Sequence, residues 1–99
     1  MVKFAELLDA DRRLVILRAL EEDPGYDLNE YVLQSVLEAL GHTVSQDRLR
    51  ADLAWLEEQG LVTVKSVAGV KVAKLTGRGS DVAAGRAVVP GVKRPRPEE

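Results

Sequence analysis

The groups best suited to reading an anionic polymer lie together between Ser45 and Arg50: Ser45, Gln46, Arg48 and Arg50. An arginine guanidinium pairs bidentately with guanine O6 and N7 or with a phosphate, and a glutamine amide pairs with adenine. A serine at the start of a helix adds a hydroxyl beside unpaired backbone N–H groups, and together they hold a phosphate. Further on, Lys65, Lys71, Lys74 and Arg78 supply charges suited to sequence-independent phosphate contact. Each assignment has a plainer counterpart. Ser45 is fully explained as a helix cap, lysines guard exposed strands, and Asp47 and Asp52 cancel Arg48 and Arg50 within the same run.

Other chemistries lack their components. His42 is the single histidine and cysteine is absent, so the usual metal-ligand clusters, disulfides and thiol chemistry are missing. Ser45 has no candidate base apart from His42. Gly77-Arg78-Gly79 lacks the strand, glycine-rich loop and helix setting of a nucleotide site. Neither catalysis, a cofactor nor a metal is expected.

These residues need elements to position them. Apolar residues from Phe4 through Leu8, Leu14 and Leu17 to Leu20 keep helical spacing over 3–22, with Asp9 or Asp11 as a possible internal cap. Asp23-Pro24-Gly25 ends that helix. Asn29 caps a second helix with the stripe Val32, Leu33, Val36, Leu37 and Leu40, closed by Gly41. Ser45 caps a third, which buries Leu49, Leu53 and Leu56 and stops at Gly60. It is expected to turn Asp47 and Asp52 outward. Trp55, one position off the buried stripe, reads as a core-edge residue. Leu61–Val67 and Val70–Leu75 alternate as two strands around Ala68-Gly69, and Thr76 caps a short last helix over 77–87. The predicted order is helix, helix, helix, strand, strand, helix: mainly α, with a two-stranded β-wing. Residues 1–87 form one domain, and residues 88–99 an extended or disordered tail with the basic run Lys93-Arg94-Pro95-Arg96.

Charge is divided along the chain. Residues 1–59 hold six Lys/Arg against thirteen Asp/Glu, a net of −7. Residues 60–97 hold eight Lys/Arg against Asp81 alone, a net of +7. The overall −2 therefore hides a dipolar field, which matters more to a charged partner than the total does. No apolar run is long enough for a membrane span, and the amphipathic, acid-containing N-terminus is unlike a signal peptide. A cytoplasmic location with no membrane contact is expected.

With these residues in place the chain resembles the winged helix-turn-helix superfamily, near the MarR, ArsR and PadR groups. The resemblance covers roughly residues 11–87. It rests on Val44-Ser45 opening the third helix, Leu56-Glu57-Glu58-Gln59-Gly60-Leu61-Val62 closing it, and Leu75-Thr76 with Gly79 after the strands. More narrowly, Asp47-Arg48-Leu49-Arg50-Ala51-Asp52-Leu53-Ala54-Trp55-Leu56 together with Val89-Pro90-Gly91-Val92-Lys93-Arg94-Pro95 is similar to small winged-helix proteins of Mu-like phages and prophages, often labelled ArsR-like regulators. The resemblance implies a transcriptional regulator binding double-stranded DNA. Its third helix would enter the major groove through Ser45, Gln46, Arg48 and Arg50, while Lys65, Lys71, Lys74 and Arg78 grip phosphates. It also implies a homodimer, with the first and last helices as the pairing surfaces. The absence of cysteine removes the cysteine-based metal sensing common in the ArsR group.

A second reading is a protein-interaction module in phage assembly or replication, whose acidic residues 1–59 face a basic partner. The two readings differ in one observable. DNA binding requires the third helix and the wing to form one continuous positive face.

Overall fold

The computed structural model describes residues 1–97. Residues 98 and 99, the last two of the expected 88–99 tail, lie outside the described residues. Helix α1 (Phe4–Glu22) is followed by strand β1 (Asp27–Asn29), helices α2 (Glu30–Ala39) and α3 (Gln46–Glu58), strands β2 (Val62–Val67) and β3 (Val70–Leu75), and helix α4 (Gly77–Ala83). The strands form one antiparallel sheet in the order β1-β3-β2.

This arrangement corrects the expected winged helix-turn-helix with a two-stranded wing behind three helices. The sheet has three strands, and β1 comes early, between α1 and α2. β1 gives little sequence signal because only its middle residue, Leu28, is apolar. Asp27, Leu28 and Asn29 pair with Lys74, Ala73 and Val72 of β3. Local hydrogen bonds steer the chain into this strand. The Asp23 carboxylate accepts from the backbone N–H of Gly25 and Asp27, and the Tyr26 carbonyl accepts from Leu75 N–H.

The caps act locally. Asn29 Oδ1 accepts from the N–H of Tyr31 and Val32, Ser45 Oγ from that of Arg48, and Thr76 Oγ1 from that of Gly79. α1 runs unbroken through Asp9 and Asp11. Neither caps it: Asp9 pairs with Arg12, and Asp11 with His42 and Lys93.

Leu14, Ile16, Leu17 and Leu20 of α1 meet Leu33 and Leu37 of α2, Leu49, Leu53 and Leu56 of α3, and Leu61, Val62, Ala73 and Leu75 of the sheet. Each fully buried leucine contributes on the order of 1.5–3 kcal/mol. α4 closes against this core through Val82 and Ala83. Gly79 permits the approach, because a Cβ there would overlap the Leu61 carbonyl oxygen.

A buried ion pair spans the core. Arg12 donates to both carboxylate oxygens of Asp52, and the two side chains are only 5% and 3% exposed. Asp52 is therefore an interior partner of α1 and does not face solvent from α3. The pairing with Asp52, reinforced by Asp9, raises the Arg12 pKa further above its ordinary value. After α4, residues 88–97 carry no helix or strand and run as a strap across α1. Val89 and Val92 are buried, Lys93 N–H donates to the Ala10 carbonyl, and Arg13 donates to the Gly91 carbonyl. Gly91 lies against Trp55, and the Arg13 guanidinium stacks 4.0 Å from the centre of the Trp55 ring. Trp55 is half-buried at the edge of the core.

Candidate nucleic-acid interface

The eight residues singled out in the sequence do not converge on one surface. Glu30, the first residue of α2, decides the placement of two of them. Its side chain is fully buried and its two oxygens accept four hydrogen bonds. Arg50 donates Nε to Oε1 at 2.7 Å and Nη2 to Oε2 at 2.9 Å, a bidentate pair. Gln46 Nε2 donates to Oε1 at 2.7 Å, and the Lys71 backbone N–H to Oε2. Arg50 also reaches the Gly69 carbonyl at the hairpin turn.

The Arg50 hydrogen bonds, with those of the Lys71 N–H and Gln46, overcome the cost of burying the carboxylate and hold the Glu30 pKa down at about 2. Arg50 is raised in turn, chiefly by Glu30. Glu30 thus ties α2, α3 and the hairpin together, and Gln46 and Arg50 are its partners. From the sequence, Glu30 reads only as a favourable charge in a first helical turn. Its burial depends on α3 and the hairpin, two elements remote from it in the chain.

The other cations are scattered. β-strand alternation puts Lys65 and Lys74 on the outer face of the sheet, with Thr63 and Val72. Lys71 falls on the opposite face, toward α3, where it lines a cleft of about 120 Å³ with Arg50, Leu53, Ala54, Glu57 and Val64. The spacing of Lys71 and Lys74 is odd, which already implies opposite faces in a strand. Arg78 donates to the Gln59 carbonyl and so caps the C-terminal end of α3. Ser45 caps the other end, about 20 Å away for a helix of this length. Of the α3 candidates, Ser45 and Arg48 are exposed. Arg48 lies close enough to Asp9 to help lower its pKa, although the Arg12 hydrogen bond dominates there.

The surface α3 presents to solvent has a different character. Asp47, Ala51, Ala54 and Glu58 are all exposed and follow the spacing of one helical face. Two alanines form a shallow floor between two carboxylates about 16 Å apart along the axis. No cation lies on this stripe. Glu57 sits beside it, and its Oε2 accepts from the Val64 N–H on the free edge of β2 at 2.8 Å. The sequence signal was available at i, i+4, i+7 and i+11, but it carries meaning only once Asp52 is known to be buried and Arg50 to be bound to Glu30.

Among the described residues, no group of three or more His, Asp or Glu side chains is placed to hold a metal ion. None of their helices is long and apolar enough to cross a membrane.

No protein-family model matches the chain. Two relatives do. The uncharacterized protein gp26 of Escherichia phage Mu is 55% identical over 92 residues, covering 93% of this chain and 95% of the phage protein. An uncharacterized protein of Haemophilus influenzae is 46% identical over 78 residues, covering 78% of this chain and 76% of its own. These matches support the phage part of the resemblance read from the sequence and add nothing to the MarR, ArsR and PadR part. With so much of both chains shared, the protein belongs to the same family as gp26 of phage Mu and is of phage type.

Proposed function

We propose that this chain is a non-catalytic protein-interaction module of a phage or prophage, acting in the cytoplasm in assembly or replication. The outer stripe of α3 receives a basic partner segment. One observation carries this reading: the solvent-facing stripe is Asp47, Ala51, Ala54 and Glu58, while Arg50 and Gln46 are engaged by Glu30. A major groove would meet two carboxylates here, and the low dielectric of a closed interface makes like-charge contact with phosphates costly. A partner helix carrying Lys or Arg at a matching separation, with small apolar residues between, fits the same stripe. Its end charges would set orientation, and the alanine floor would supply the contact area.

A photo-crosslinking side chain at Ala51 or Ala54, in cells producing the parent phage, tests this. Neither position is buried, so the core is undisturbed. The expected adduct is sensitive to protease and resistant to nuclease. A nuclease-sensitive adduct would refute the reading.

A second reading is favoured by the shared outer-face position of Lys65 and Lys74 and by the exposure of Arg48. In it the chain is a DNA-binding transcriptional regulator that grips phosphates through these cations. Their contacts would give affinity that falls steeply with salt and little base specificity.

A further inference from the structure

The first two turns of α1 stand clear of the core. Every residue from Met1 to Leu8 is exposed, including Phe4 at 74%, Leu7 at 56% and Leu8 at 39%. Beside them, Leu7, Leu8, Ala10, Asp11 and Lys93 line an open groove of about 410 Å³. A phenylalanine and two leucines on one helical face are expensive to leave in water.

We infer that a second copy of this chain covers this face, through a symmetric antiparallel pairing of the two α1 helices that crosses at Leu7. Three observations select this occupant. First, the face is self-complementary in size: an antiparallel crossing at Leu7 sets Phe4 of each copy opposite Ala10 of the other, a large side chain against a small one beside the groove. Second, the same register brings Lys3 to Asp11, a carboxylate that also holds His42 and Lys93 of its own copy. Asp11 remains ionised to receive it. Burial works against the charged form, but hydrogen bonds from His42 and Lys93 outweigh that and keep its pKa below the ordinary value. Third, Met1, Val2, Phe4, Leu7 and Leu8 are all apolar and all exposed. Covering this face on both copies would have to remove on the order of 1,000 Å² from water, about where specific interfaces begin. A twofold contact uses the same patch on both copies, so the pairing closes and does not grow into a filament.

This surface is separate from the α3 stripe, so either can fail without the other. The test is the mass of the full chain in solution over a micromolar-to-millimolar concentration series, by light scattering or sedimentation equilibrium. The wild type is expected to reach twice the monomer mass. Leu7→Glu, which opposes two carboxylates on the twofold axis, should raise the dissociation constant about 30-fold or more while leaving the circular dichroism unchanged. Because the chain has no cysteine, Leu7→Cys gives a second readout: it should form a disulfide-linked dimer on mild oxidation, and Glu22→Cys, at the far end of α1, should not. A chain that stays monomeric throughout, or a dimer that survives Leu7→Glu, would overturn the inference.

Discussion

Replacing Glu30 by glutamine keeps the shape of the side chain and removes its charge. In the wild type each carboxylate oxygen accepts two hydrogen bonds, from Gln46 and Arg50 Nε on one side and from Arg50 Nη2 and the Lys71 N–H on the other. An amide keeps one acceptor oxygen and turns its NH2 toward the remaining donors. Two charge-assisted hydrogen bonds are lost, each worth about 1.5–3 kcal/mol. Arg50 is 38% exposed and recovers part of this from water, so the net loss should lie below the roughly 3–5 kcal/mol typical of breaking a fully buried pair. We expect about 2–4 kcal/mol at neutral pH. For a domain of this size that lowers Tm by roughly 10–25 °C. Urea unfolding followed by the fluorescence of the single tryptophan, Trp55 on α3, measures it.

The pH dependence supplies a second signature. A carboxylate whose pKa falls on folding stabilises the native state fully above its unfolded value, here an ordinary 4.5. That contribution is lost as the pH falls through this value toward about 2. Wild type should therefore lose stability across this window, and Glu30→Gln should lose less. A variant that unfolds within about 1 kcal/mol of wild type and shows the same acid profile would refute the assignment of Glu30 as the tie between α2, α3 and the hairpin.

Other perturbations act at separate points. Asp52→Ala strips the buried Arg12 of its main partner and should cost roughly 3–5 kcal/mol, read by thermal unfolding; a loss near zero would mean that Asp9 alone satisfies Arg12. Gly79→Ala places a methyl group against the Leu61 carbonyl and should cost at least about 1–3 kcal/mol by forcing α4 off the sheet, measurable in the same melts. Gly91→Ala combines a φ of +98° with a Cβ only 2.8 Å from the Trp55 ring. It should release the strap and shift Trp55 emission to longer wavelength, while far-ultraviolet circular dichroism stays close to wild type.

The local grammar of the fold was legible in the sequence. Asn29, Ser45 and Thr76 each cap the helix they were expected to cap, and the turn at Ala68-Gly69 joins β2 and β3 as expected. β1 was not legible, because three residues with one apolar side chain form a strand only when β3 lies beside them. The candidate site was less legible still. Arg50 looks outward on a helical projection, yet Glu30 holds it, twenty residues earlier and across an interhelical gap. Asp52 looks outward too, yet it meets Arg12 forty residues away. Burial of one charged group depends on a partner that no local window contains. The alternation separating Lys71 from Lys65 and Lys74 was present in the sequence. Lys71 differs further in having its backbone N–H bound to Glu30, a contact with no local signal.

On the reading proposed above, α3 meets a protein through its acidic, alanine-floored stripe and is not a reading head for DNA. Titration of mixed-sequence duplex DNA with the folded wild type over a salt series, repeated with Arg48→Ala, decides between the two. A protein-facing stripe gives no binding at physiological salt, and at low salt only weak binding that Arg48→Ala barely changes. Tight binding that falls steeply with salt and is lost in Arg48→Ala would contradict it.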